Sequence, residues 1–177
     1  MNDKYKPLLI SLKPNYADLV FSGLKKAELR RHLSGGLEGR DVFVYVSSPV
    51  KILRGGFRIG QVWSGTPKDI WKEVSCMAGV SRKTFNEYYS GAPVAFALEI
   101  IDVWEYKTPK TLDELRMKFI DFVVPQSYRY VKNDEIRFLK KLQRSPKILS
   151  SLNYTTTTDL NVRHNKYLQT FPKLVAL

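Results

Sequence analysis

An α+β fold is predicted: a small mixed β-barrel with short helices at one end and a C-terminal helical extension. Three observations predict it. Segments rich in β-branched and aromatic residues dominate the first hundred residues. Short amphipathic stretches with helix-capping residues interrupt them. From Asn133 the pattern changes to a basic amphipathic helix followed by a polar stretch. The 177 residues suit one domain with an appendage, divided as a barrel over 1–130 and an extension over 131–177.

The elements follow in order. Pro7–Pro14, "PLLISLKP", is apolar and bounded by prolines, like a buried strand. In "NYADLVFSG", Asn15 is read as a helix cap. Tyr16, Leu19 and Val20 share one face, and Gly23 stands where the helix stops. "KKAELRRHL" alternates and returns as a strand, and "SGGLEGRD" is a loop. Asp41–Pro49, "DVFVYVSSP", is the clearest strand. Gly55–Trp63 is another, with Phe57, Ile59 and Trp63 on one face and Gly56, Arg58 and Gly60 on the other. Glycines on one strand face mark a bend or a close backbone approach.

"TPKDIWKEVSCMAGV" and "SRKTFNEYYSG" read as two short helices crossing one end of the barrel, the second stopped by Gly91. Ala92–Tyr106 returns to strand, "TLDELRMKF" is a short helix, and "VVPQSYRYV" is extended around Pro125. "NDEIRFLKKLQ" is an amphipathic helix capped at Asn133, with Ile136 and Leu139 inward. The tryptophans Trp63, Trp71 and Trp104 are read as core rather than as base-stacking platforms, and one of Tyr88 and Tyr89 as core.

Composition narrows the function classes. No apolar run approaches the ~18 residues that cross a bilayer. The N-terminus has no signal-peptide pattern, so the default expectation is a cytoplasmic location. Cys76 is the only cysteine, read as structural and half-buried. With His32 and His164 it cannot form a four-ligand zinc site, so no metal or other cofactor is implied. The net charge of +12 favours a polyanionic partner, nucleic acid above all, over a neutral metabolite, and no membrane partner is expected. Residues 131–177 hold nine Lys/Arg against three Asp/Glu, so about a quarter of the chain carries half the surplus.

At Gly23–Arg30 the chain reads G-L-K-K-A-E-L-R, which fits Gly-x-Lys-x-x-Glu-x-Arg at Gly23, Lys25, Glu28 and Arg30. With "ISLKPNYADLVFSG" before it, "VYVSSPV" and "VSRKTFNEYYSG" ahead of "AFALEI", and "PQSYRY" at the end, the chain resembles the ASCH domain family over about residues 7–130. "PQSYRY" resembles a branch related to predicted transcriptional regulators. The resemblance implies a PUA-like barrel with a cleft between barrel and helices, and roles in RNA binding, ribonuclease activity or hydrolysis of acylated nucleosides.

The residues themselves suggest the chemistry. On a strand, Lys26, Glu28 and Arg30 face one side and Ala27, Leu29 and Arg31 the other. Lys25 lies at the helix–strand corner, where an ammonium meets a phosphate or an oxyanion. Arg30 offers a bidentate fork. Glu28 orients either cation or accepts a base N–H. The alternative is a solvated Lys–Glu–Arg ion-pair ladder. Lys13 and Tyr16 flank the first strand–helix junction. Ser47 and Ser48 line a pocket or simply cap a turn. Gln126, Ser127, Tyr128 and Arg129 offer base reading, stacking and phosphate contact, or a plain closing strand. Arg137, Lys140, Lys141 and Arg144 share one face of a helix, a phosphate-tracking stripe or a solvated face.

Binding of RNA or a modified nucleotide is the favoured function. The alternatives are a hydrolase using Lys25 and Glu28, and a regulatory protein-interaction module. The resemblance limits one of these. The branch that deacylates modified cytidine uses a motif lysine, a threonine three residues later and a helical glutamate. Lys25 matches the lysine, but Glu28 stands in the threonine position. Glu73 is only near the position of the glutamate.

Overall fold

A computed structural model describes residues 6–146. The curl of its sheet originates in two glycines. A Cβ on Gly55 would stand 2.2 Å from Trp104 O, and one on Gly56 2.2 Å from Val42 O and 2.5 Å from the Trp104 ring. Only glycine permits neighbouring strands to approach that closely. Register shifts along β4 (Ile52–Gly65) and its partner β5 (Ala95–Thr111) bend the sheet further.

The remaining strands are β1 (Leu8–Leu12), β2 (Ala27–Arg30), β3 (Asp41–Val46), β6 (Tyr128–Tyr130) and β7 (Arg144–Pro146). The helices are α1 (Pro14–Phe21), α2 (Pro67–Val74), α3 (Arg82–Tyr88), α4 (Leu112–Lys118) and α5 (Asn133–Lys141). The sheet order is β2-β5-β4-β3-β1-β6, with β7 added on β5. β1 and β3 run parallel and the other pairs antiparallel, so the sheet is mixed. This is the α+β architecture expected, as a curled half-barrel with short helices.

Both faces of the central strands are buried, which explains their nearly continuous apolar runs. Leu8, Ile10, Leu12, Val42, Val44 and Val46 face an inner cluster with Phe57, Ile59 and Leu98, covered by Ala17, Val20 and Phe21 of α1. Leu9, Phe43, Tyr45 and Trp104 face the opposite way, against Leu115 of α4 and Ile136 and Leu139 of α5. A third cluster packs Ala27 and Leu29 of β2 against Ile70, Val74, Phe85 and Tyr89 from α2 and α3. Tyr89 is buried and Tyr88 is 40% exposed, the split expected of that pair. Trp104 is buried, and Trp63 and Trp71 pack half-buried against the third cluster.

The two edges of the half-barrel, β2 and β6, are tied by side chains. Arg30 Nη1 donates to Ser127 O (3.4 Å) and reaches Ser127 Oγ (3.5 Å). Ser34 N donates to Tyr128 Oη (3.1 Å), Ser34 Oγ lies 3.0 Å from Tyr130 Oη, and Arg40 stacks over the Tyr130 ring. We call this line the seam.

Several local expectations are corrected. Asn15 is not the cap of α1. Pro14 takes the first helical turn, where its missing N–H and fixed φ fit best, so the cap falls back to Lys13. Likewise Lys132, not Asn133, caps α5. The segment "TPKDIWKEVSCMAGV" is helical only to Val74 and then turns through Gly79 at φ +64°. Cys76 lies in that turn and is exposed rather than half-buried. Arg144 is not on the helix with Arg137, Lys140 and Lys141. α5 ends at Lys141, and Arg144 sits on β7 with its guanidinium 4.3 Å from the Trp104 ring and 3.7 Å from Asp41 Oδ2. The basic stripe is therefore three residues on α5, all exposed. Lys147, His164 and the rest of the extension beyond 146 lie outside the described residues.

Candidate functional site

Lys25 is delivered by the turn that ends α1. Gly23 adopts φ +77°, the left-handed geometry that terminates helices without steric cost. Its N–H donates to Val20 O (3.0 Å), and Lys25 N donates to Leu19 O (2.9 Å), so the last carbonyls of the helix are satisfied. The chain then enters β2 against the turn after α2. Met77 O accepts from both Lys26 N (2.7 Å) and Ala27 N (2.9 Å). Ala78 O accepts from Lys25 Nζ at 2.7 Å, inside the protein.

Alternation along β2 does the rest. Ala27 and Leu29 enter the α2–α3 cluster, whereas Glu28 lies opposite Leu98 of the inner cluster and points with Arg30 to that side. Lys25, Glu28 and Arg30 are 3%, 5% and 6% exposed. This burial rules out a solvated ladder. Lys25 Nζ stands 3.6 Å from Glu28 Oε2, and Arg30 Nη2 stands 2.9 Å from Glu28 Oε1. The second contact is an ion pair and not a hydrogen bond. Arg30 Nε and Nη2 are buried and have no hydrogen-bond partner among the described residues.

The half-buried Tyr16 ring lies 5.9 Å from Lys25 Nζ. Tyr88 Oη donates to Leu29 O (3.4 Å), and Tyr89 Oη to Arg30 O (3.3 Å) and Phe96 O (2.8 Å). Arg31 holds the end of α3 through Tyr88 O and Ser90 O, both at 3.2 Å. A continuous chain thus runs Tyr16–Lys25–Glu28–Arg30–Ser127 and ends at the seam.

Electrostatically the three motif residues carry one carboxylate against two cations. Burial holds the Lys25 ammonium below the usual lysine range. Glu28 opposes that shift and Arg30 adds to it. Lys25 therefore sheds its proton more readily than an exposed lysine.

The other residues singled out in the sequence fall in different places. Lys13 is exposed at the start of α1. Ser47 is half-buried and Ser48 exposed. Their turn is held by backbone bonds, Ser47 N to Leu12 O (2.8 Å) and Val50 N to Ser47 O (3.2 Å). Gln126 and Ser127 are exposed at the seam. Tyr128 uses its hydroxyl to hold Ser34. Arg129 is committed internally: Nη1 and Nη2 each donate to the buried Glu135 carboxylate at 2.7 Å, and Nε donates to Val123 O at 2.8 Å.

Sequence reasoning missed the turn at residues 75–79 as a wall of the site. The only signal was Gly79. A Cβ there would lie 3.0 Å from Lys25 Cβ, on a backbone at positive φ. Gly79→Ala is therefore expected to destabilise the chain by about 1–3 kcal/mol in urea unfolding. A variant as stable as the wild type would show that this turn does not press on Lys25.

Among the described residues no three His, Cys, Asp or Glu side chains gather to hold a metal ion. Among the same residues no helix is long and apolar enough to cross a membrane.

No protein-family model matches the chain. Over 125 residues, 71% of the chain, it is 30% identical to a large ribosomal subunit protein of Ureaplasma parvum, and spans 39% of that protein's length. Over 137 residues it is 27% identical to an ASCH domain-containing ribonuclease from Zymomonas mobilis, a match that takes in 77% of this chain and 92% of that protein. The crystal structure of ASCH from Zymomonas mobilis superposes with a TM-score of 0.73 at 25% identity, covering 80% of this chain and 98% of that one. Sequence and fold agree over nearly the whole of that relative, and the chain belongs to the ASCH domain family.

Proposed function

We propose that this chain binds single-stranded RNA, taking one nucleotide at the seam of the half-barrel. The observation that carries the reading is the buried Lys25–Glu28–Arg30 cluster with its excess positive charge, flanked by the Tyr16 ring. Buried charges without full compensation are costly, and proteins retain them where they bind or react. The surplus of +12 and the exposed Arg137, Lys140 and Lys141 supply the long-range attraction. The partly exposed tyrosines Tyr16 and Tyr88 are suited to stack a base.

Cleavage of the bound RNA is the second reading. It is favoured by the ribonuclease from Zymomonas mobilis and by the ease with which Lys25 loses its proton, a property of a general base.

The test is anisotropy of a labelled single-stranded RNA at several salt concentrations. The wild type is expected to bind with a steep salt dependence. A triple Arg137/Lys140/Lys141→Ala variant should lower the log–log slope by about 0.7 for each phosphate that it no longer neutralises. A folded wild type that binds no RNA at low salt would end this reading. Gel analysis of the same mixtures, with and without divalent metal, decides the second: product that disappears in Lys25→Ala supports cleavage.

A further inference from the structure

We infer that the Nε–Nη2 side of Arg30 is the seat of a single phosphodiester group, the monoanionic linkage between two nucleotides. The inference rests on the RNA reading above and names what the site holds.

Two independent features converge on this ligand. The first is hydrogen bonding. Nε and Nη2 form one edge of the guanidinium fork, and both are buried without a hydrogen-bond partner among the described residues, Nη2 meeting Glu28 Oε1 at 2.9 Å as an ion pair only. Guanidinium donors left unpaired inside a protein are costly. A group offering two adjacent oxygens satisfies both at once, which is the geometry Arg presents to phosphate. The second is charge. Lys25, Glu28 and Arg30 sum to one excess positive charge in a setting where all three are at least nine-tenths buried. One negative charge balances them. A phosphodiester carries that charge, whereas a terminal phosphate monoester at mildly alkaline pH carries two. Lys25 contributes further donors: its Nζ donates to Ala78 O and lies 3.6 Å from Glu28 Oε2.

Access is through the seam. The contacts that hold Arg30 to Ser127 are long, at 3.4 and 3.5 Å, near the limit of hydrogen bonding. These Nη1 contacts therefore give way at little cost, while Glu28 Oε1, 2.9 Å from Nη2, keeps the guanidinium in place as the phosphate enters. Ser127 and Gln126 are exposed there, so a backbone phosphate can enter between β2 and β6 while the bases stay outside.

The probe is the dinucleotide uridylyl-(3′→5′)-uridine, which has one phosphodiester. Its uncharged methylphosphonate analogue and uridine 3′-monophosphate are the controls. The full chain is labelled with nitrogen-15 and carbon-13, and the Arg30 Nε–H signal is assigned through its own side-chain carbons. The dinucleotide is expected to shift that signal and the methylphosphonate to leave it in place. Arg30→Lys should weaken dinucleotide binding about tenfold or more while the chain stays folded. The measurement on the wild type stands even where that variant unfolds. With the dinucleotide and its controls, the inference is overturned by an unmoved Arg30 signal at saturating dinucleotide, by equal binding of the methylphosphonate, or by tighter binding of the monophosphate. A longer RNA that binds while the Arg30 signal stays in place overturns this inference and leaves the RNA reading standing. Failure of both the dinucleotide and the longer RNA to bind overturns both.

Discussion

Replacing Glu28 by alanine is expected to destabilise the folded chain by about 3–5 kcal/mol, measured as a fall in the urea midpoint. That is a large part of the ~5–15 kcal/mol available to a domain this size. The cause is the asymmetry of the cluster. Among the described residues, Glu28 is the one carboxylate within ion-pair distance of both Lys25 and Arg30. Without it, two buried cations face each other unscreened. Lys25→Met removes a cation instead, and leaves Glu28 paired with Arg30. Its cost should stay nearer to the ~1–3 kcal/mol of an unsatisfied buried group, since Ala78 O loses its donor. The order of the two variants is the decisive outcome. Equal losses would mean that the charges do not interact as their distances indicate.

The same cluster sets a pH dependence. The folded state holds the Lys25 pKa below its ordinary value, chiefly through burial. Between the folded pKa and the unfolded one, near 10.5, the unfolded chain binds more protons. Stability contributed at this site therefore rises with pH across that window. Below the folded pKa the full burden of the buried ammonium is present. Tyr89 acts in the opposite sense, because burial raises its pKa and its contribution is lost above the ordinary tyrosine range. Comparing the wild type with Lys25→Met from about pH 7 to about pH 10 isolates the lysine. A phosphodiester on Arg30 would restore the Lys25 proton, so RNA binding should weaken as pH rises through the same window.

Much of this was legible in the chain, for reasons that differ by element. β3 announced itself through β-branched and aromatic density, and the glycines Gly56 and Gly60 on one face of β4 marked a close approach, which the fold makes at Gly56 and at its neighbour Gly55. Thr66, Ser81 and Thr111 cap their helices through local bonds, to Asp69 N, Thr84 N and Glu114 N. The alternation of β2 correctly set Glu28 and Arg30 on one side. Burial of that side was not legible, because it depends on α1 and on the turn at 75–79, segments that only the folded chain brings over β2. A run with two lysines and two arginines reads as solvated until those segments cover it. The partners of Arg129 and Arg144 were hidden for the same reason. Both looked like free cations for phosphate, and each is held by a carboxylate brought in by the fold.

Arg129 leads to the second large effect. Glu135 is 2% exposed and receives both terminal nitrogens of Arg129 as well as the backbone N–H of Lys132 (2.8 Å). One carboxylate thus caps α5 and clasps β6. Glu135→Ala strands a guanidinium and opens the first turn of the helix, with an expected loss of about 3–5 kcal/mol. The effect should reach the seam. β6 pairs with β1 through only three residues, Tyr128, Arg129 and Tyr130, and two of their side chains hold Ser34. Loosening β6 loosens Ser127 and Tyr128 along with it. RNA affinity should then fall even though Arg129 has been released from its partner. Were Arg129 itself a phosphate contact, freeing it would strengthen binding. Anisotropy on Glu135→Ala, taken at a temperature where circular dichroism shows the chain folded, separates the two. Weaker binding identifies Arg129 as a clasp of the seam, and stronger binding returns it to the RNA-contacting set.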